Sequence, residues 1–163
     1  MVTIITGTTQ KPTSSDLLKS FFQRHNELDG YLYIGYPIIG TVDGAYPIDS
    51  LWVSPDKGLV IFNLIEGKNI DGYEEAQDDC ANKIEAKLRG YRQLVNKRKL
   101  CVEINVITYA PALMRKVDCD EDYPLCANDN NLLAQIEKLN WNNSGYYEAL
   151  VSVPVSYTHL RAH

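Results

Sequence analysis

Two acidic residues and a lysine stand where they could form a metal-dependent site. Asp49 lies in the segment "YPIDSLWVS", and Glu66 and Lys68 follow "LVIFNLI", the most apolar run of the chain. Cleavage of a phosphodiester with Mg²⁺ needs a few hard oxygen ligands, a bound water as nucleophile, and a nearby cation that offsets charge on the phosphate. Two carboxylates and an ammonium group from neighbouring strands supply these parts. The residue types therefore permit a Mg²⁺ site at Asp49, Glu66 and Lys68.

The register of the two strands decides whether these side chains meet. The segment "PDKG", residues 55–58, has the composition of a turn, with a glycine able to adopt positive φ. If these four residues form the turn, Ser54 opposes Leu59, and Asp49 opposes Leu64. This register is our prediction, because it keeps Gly58 inside the turn.

In that register Glu66 is a diagonal neighbour of Asp49 on the same face of the sheet, close enough for both carboxylates to reach one ion. Lys68 continues the same face, because side chains alternate with a period of two. A shift of one residue would instead place Asn63 and Ile65 on that face and would remove the site.

The segments that position these residues follow the order α-β-β-β-α-β. Helical spacing of apolar residues marks a first helix in "TSSDLLKSFFQRHNEL" and a second, longer one in "DGYEEAQDDCANKIEAKLRGYRQLV". The unbroken apolar run "LVIFNLI" predicts a strand that is buried on both faces. Together with strands in "GYLYIGYPII", "YPIDSLWVS" and "KLCVEINVITYA", the order predicts an α/β fold with a mixed sheet flanked by helices.

A family resemblance gives these segments a more specific interpretation. "YPIDSLWVS", "IEGKNIDG" and the glutamine of the next helix resemble the nuclease-related (NERD) domain, a branch of the PD-(D/E)xK, restriction-endonuclease-like nucleases. The segments "GYPIIGTVDGAYPID" and "GYEEAQDDCANKIEAKLRGYRQL" resemble the N-terminal region of bacterial superfamily I DNA helicases of the UvrD/Rep type. The likeness runs from about residue 3 to about residue 152. It implies a restriction-endonuclease-like α-βββ-α-β core.

The resemblance also implies roles for individual residues. Asp49 and Glu66 correspond to the metal ligands, with Mg²⁺ as the ion. Lys68 corresponds to the residue that orients the water or stabilises the phosphate, and Gln77 to an assisting residue on the helix. The family has a shorter interval between the aspartate and the Glu-x-Lys motif, and Asn63 stands near the position where that interval would place the acid.

Two functions remain open at this stage, beside a third alternative in which the chain is a stand-alone domain unrelated to helicases. In the first, the chain is a Mg²⁺-dependent DNA nuclease domain that precedes an ATP-driven helicase motor, with ATP bound only in the motor. In the second, it is a catalytically inactive accessory module that positions DNA or a partner for that motor. The basic segment "RGYRQLVNKRK" could contact DNA phosphates, or it could be a solvated helix end whose charges complement the helix dipole.

Composition limits the remaining possibilities. A chain of 163 residues fits one domain, and no apolar run approaches the roughly 20 residues that span a bilayer. Four cysteines without a CxxC pair favour a reducing, cytoplasmic environment. The ending "PVSYTHLRAH" resembles a translated sequencing adapter. We therefore predict a nuclease-related domain over residues 1–153, a non-native tail over 154–163, and a longer natural protein.

Overall fold

The most apolar segment of the sequence forms a central strand of a six-stranded mixed sheet. The computed structural model describes residues 1–41 and 44–153, so the predicted non-native tail lies outside the described residues. In spatial order the strands are β1 (Val2–Thr6), β2 (Gly30–Ile34), β5 (Ser50–Ser54), β6 (Gly58–Leu64), β9 (Ile104–Tyr109) and β10 (Leu125–Cys126). Strands β2, β5 and β6 are antiparallel neighbours, and β9 returns parallel to β6.

Smaller elements surround this sheet. Strand β1 extends it parallel to β2, and β10 extends the opposite edge parallel to β9. Two short antiparallel ribbons lie apart from it: β3 (Ile38–Thr41) with β4 (Gly44–Tyr46), and β7 (Val95–Asn96) with β8 (Lys99–Leu100). The helices are α1 (Pro12–Arg24), α2 (Tyr73–Arg89), α3 (Asp129–Glu137) and α4 (Tyr147–Ser152). The predicted α/β class, with a mixed sheet flanked by helices, is confirmed.

Both faces of the sheet are covered, as the unbroken apolar run of β6 predicted. Leu59 and Ile61 of β6 belong to a core cluster that contains residues of α2 and α4. Val60 and Phe62 point the other way, into a cluster that contains residues of α1 and α3. Because alternate residues of one strand enter two different cores, the strand has no polar face.

The predicted register of β5 and β6 is wrong by one residue. Ser54 pairs with Gly58 and Val53 with Leu59, so the turn contains only residues 55–57. Gly58 has a φ of 82° and pairs with Ser54 in the ladder, so the hairpin loop has three residues. When extended beyond β5, this register places Asp49 opposite Asn63. It is the alternative register described above, in which Asp49 and Glu66 do not share a face of the sheet.

The cysteines form no disulfide bonds in the described part of the chain. All four cysteines are free, with Cys80, Cys101 and Cys126 buried and Cys119 exposed. No helix in the described part of the chain is long and apolar enough to cross a membrane.

Candidate functional site

Asp49 lies immediately before β5, at the end of the sheet where β6 stops, and its carboxylate is held by two donors. Its Oδ2 atom accepts a hydrogen bond from Lys11 Nζ at 2.9 Å and another from the backbone N–H of Leu64 at 2.8 Å. The same ammonium group donates to the carbonyl oxygen of Leu64 at 2.7 Å. Asp49 and Lys11 thus form an ion pair against the end of β6, with side chains 24% and 37% exposed.

Lys11 reaches this position because it directly precedes α1. Pro12 occupies the first turn of the helix, where its missing N–H costs nothing and its fixed φ suits the helical backbone. Lys11 therefore becomes the residue before the helix. From there its side chain crosses to Asp49 and to the end of β6.

Glu66 is bound to the start of the same helix, through three hydrogen bonds. Its Oε1 atom accepts from the backbone N–H and the hydroxyl of Ser14, at 2.6 and 2.7 Å, and its Oε2 atom accepts from the N–H of Thr13 at 3.1 Å. The backbone hydrogen bond from Ser14 is the main reason that the pKa of Glu66 is lowered from its ordinary value. The first N–H groups of a helix have no partner within the helix, so Glu66 acts as the cap of α1.

The other two predicted site residues lie elsewhere. Lys68 is exposed and makes no hydrogen bond or ion pair with any residue that the structure describes. Gln77 is buried, and its side-chain amide donates to Thr108 Oγ1 at 2.8 Å and to the carbonyl oxygen of Pro124 at 3.0 Å. Gln77 therefore connects α2 to β9 and to the segment before β10. Asp49 and Glu66 thus contact groups at the start of α1, whereas Gln77 contacts β9 and Pro124.

A cavity of about 500 Å³ opens at this end of the sheet, beside Asp49. Its walls include Lys11, Asn63, Asp71 and Tyr73, whereas Glu66, Lys68 and Gln77 are not among them. Tyr46 also lines the cavity. Burial, and then a hydrogen bond to Asp79, raise the pKa of this phenol, so it stays protonated at neutral pH.

The residues at this cavity do not fit a Mg²⁺ ion held by Asp49 and Glu66. Asp49 already neutralises an ammonium group, and that positive charge would repel a divalent ion at the same oxygen. Glu66 would have to leave its three donors at α1. Among the residues described, no three His, Cys, Asp or Glu side chains converge on a common point.

Sequence reasoning missed one residue of this region, Lys11. Lys11 carries the cation at Asp49, and the signal for it was the Lys-Pro-Thr-Ser segment, in which Pro12 marks the first turn of a helix. Asn63, in contrast, was indicated by the shorter interval of the resembling family, and the register of β5 and β6, when extended, places it opposite Asp49. An amide in place of a carboxylate there leaves Asp49 without a second charged ligand across the strand pair.

No family model, no curated protein and no solved structure matches this chain.

Proposed function

We propose that this chain is a nuclease-related domain that binds DNA without cutting it, as an accessory module of a larger DNA-acting protein of the helicase class. The resemblance of the strand and helix segments to that family supports the assignment. The order of α1, β2, β5, β6, α2 and β9, with β9 parallel to β6, agrees with the α-βββ-α-β core that the resemblance implies.

One observation carries the non-cleaving half of the proposal. The two carboxylates expected to share a metal ion instead hold two different groups at the start of α1, Asp49 through Lys11 and Glu66 through Thr13 and Ser14. Asp49 pairs with the positive charge of Lys11, and Glu66 binds N–H groups at the positive end of the α1 dipole. In this arrangement, the acids of a nuclease site serve to fasten the first helix to the sheet.

Mg²⁺-dependent cleavage of DNA is the rival function. It is favoured by the cavity beside Asp49, which is open to solvent and also contains Asn63 and Asp71. In that case Lys11 would supply the cation that the resemblance assigns to Lys68. The cleavage function and the need for Mg²⁺ remain predictions from the resemblance.

The two functions differ in a nicking experiment. Supercoiled plasmid is incubated with the chain and Mg²⁺ or Mn²⁺, and binding of a fluorescent DNA duplex is measured by anisotropy in parallel. We expect binding of the duplex, with no nicking above the level of Asp49→Asn. Glu121→Gln is a suitable control, because Glu121 is exposed, does not line this cavity and forms no ion pair within the described residues.

Each half of the proposal can fail separately. Metal-dependent nicking that Asp49→Asn abolishes and Glu121→Gln retains would establish cleavage and overturn the non-cleaving assignment. Absence of duplex binding at low salt would overturn the DNA-binding assignment, whatever the nicking result.

A further inference from the structure

We infer that the β7–β8 hairpin is the surface that binds the phosphate backbone of duplex DNA. This inference rests on the proposed function and names the part of the molecule that performs it. We call this part the basic hairpin surface. It comprises the exposed residues Arg89, Arg92, Lys97, Arg98 and Lys99.

The first argument is the concentration of uncompensated positive charge. The chain as a whole carries a net charge of −5, yet no acidic residue lies between Glu85 and Glu103. Arg89 is 3.8 Å from Glu85, in an exposed pair. The other four cations of the basic hairpin surface form no ion pair with any residue in the described ranges. A solvated helix end of the ordinary kind has its charges next to the last turn, whereas three of these cations lie on a separate ribbon.

The second argument is the backbone of the turn that carries the outermost charges. Asn96 pairs with Lys99, so Lys97 and Arg98 form a two-residue hairpin turn, with φ values of 51° and 67°. Such a turn favours Asn-Gly, because side chains are disfavoured at positive φ. Lysine and arginine at these two positions make the turn less stable than Asn-Gly would. Their presence is explained if the turn serves to present two cations.

The third argument is that the hairpin is firmly attached to the core. Leu94, which precedes β7, is fully buried, and its carbonyl oxygen accepts a hydrogen bond from the N–H of Cys101 at 2.8 Å. Arg89 Nη1 donates to the carbonyl oxygen of Arg98 at 3.2 Å, which ties the turn to the end of α2. The backbone that carries these cations is therefore held in a fixed place. Binding of a phosphate then costs less conformational entropy.

The position of this surface separates it from the cavity at Asp49. The first turns of α2 line the cavity, whereas the hairpin follows the last turn of α2. A helix of 17 residues is about 25 Å long at a rise of about 1.5 Å per residue. The basic hairpin surface and the cavity therefore lie towards opposite ends of α2.

The test replaces the turn with the sequence that its backbone favours. The double variant Lys97→Asn with Arg98→Gly removes two cations and should fold at least as stably as the wild type, as checked by its melting temperature. The matched control is Arg115→Gly with Lys116→Asn, which removes an adjacent, exposed lysine–arginine pair from another segment. Binding of a fluorescein-labelled 30-base-pair duplex is measured by anisotropy at several salt concentrations.

We expect the hairpin variant to bind the duplex about tenfold more weakly or worse at low salt, and the control variant to bind like the wild type. The plot of log K against log salt should become less steep by about 1.8 in the hairpin variant, because each lost phosphate contact removes about 0.9. Unchanged affinity and slope in this variant, beside a wild type that binds, would overturn the inference and leave the proposed function standing.

Two further outcomes would also overturn it. An equal loss in both variants would show that net charge matters and the hairpin does not. Binding of the wild type to phosphatidylserine vesicles, with no binding to duplex DNA, would assign the basic hairpin surface to membranes and would remove the proposed DNA function as well.

Discussion

At the scale of single residues, Glu66 makes the stability of the chain depend on pH. Its carboxylate caps α1 through Thr13 and Ser14, and its pKa is lowered in the folded protein. A lowered pKa means that the contribution is complete above the ordinary value of 4.5 and disappears as pH falls through the folded-state value. Glu66→Gln should therefore lower the melting temperature at neutral pH, and the difference from the wild type should vanish in acid.

Thermal denaturation between neutral pH and strongly acidic conditions checks this expectation. Glu121→Gln is the control, because Glu121 is exposed and makes no hydrogen bond or ion pair within the part of the chain that the structure describes. A melting difference for Glu66→Gln that stays constant as the pH falls would show that the ionised carboxylate is not what holds the helix.

The same residues show what a sequence can and cannot reveal about a site. The sequence singles out Asp49 and Glu66 as acids near the end of β6, because residue type and local position are visible in it. Their partners, Lys11 and Ser14, come from a helix more than 30 residues earlier in the chain. No local pattern encodes such contacts, so the sequence did not indicate the hydrogen bonds that hold these two carboxylates.

At the scale of elements, Gln77 joins α2 to the sheet. Its buried amide donates to Thr108 of β9 and to the carbonyl oxygen of Pro124. Gln77→Met keeps the volume but leaves both acceptors without this donor, and should lower the free energy of unfolding by about 1–3 kcal/mol. Urea denaturation followed by circular dichroism measures the loss.

A second substitution isolates the hydrogen bond from the packing. Thr108→Val removes one of the two acceptors, so the double variant should lose less stability than the sum of the two single variants. Strictly additive losses would mean that the bond between Gln77 and Thr108 does not stabilise the fold.

The register of the β5–β6 hairpin could not be predicted from the residues of the hairpin alone. Its turn signals are local, so the presence of both strands and of a turn near Pro55 was predicted correctly. Gly58, however, joins the ladder opposite Ser54, at a φ of 82°. A Cβ atom there would lie 2.6 Å from the carbonyl oxygen of Glu103, so the glycine is required by a strand that follows much later in the chain. The register thus depends on a tertiary contact.

At the scale of the whole molecule, the sheet separates two hydrophobic cores, and each contains one tryptophan. Trp52 lies with α1 and α3, whereas Trp141 lies in the cluster with α2 and α4. Because alternate residues of β6 enter both cores, we expect one cooperative unfolding transition. In the single-tryptophan variants Trp52→Phe and Trp141→Phe, the fluorescence midpoint in urea should coincide with the midpoint measured by circular dichroism.

Separate midpoints in either variant would contradict this expectation and would show that one core opens before the other.

The order of the main segments was predictable because each has its own apolar pattern. Edge strands β1 and β10 were not predicted, since β1 reaches its partner only through the crossover of α1, and β10 contains two residues.

The distribution of the cysteines has a practical consequence for work on this chain. Burial raises the pKa of Cys80 and of Cys126 to about 12, and Cys101 is also shielded from solvent. Thiol reagents attack the exposed thiolate, so under native conditions a maleimide dye should attach only at Cys119. The remaining three thiols become reactive only when the protein opens, and the rate at which they are modified reports directly how often that happens.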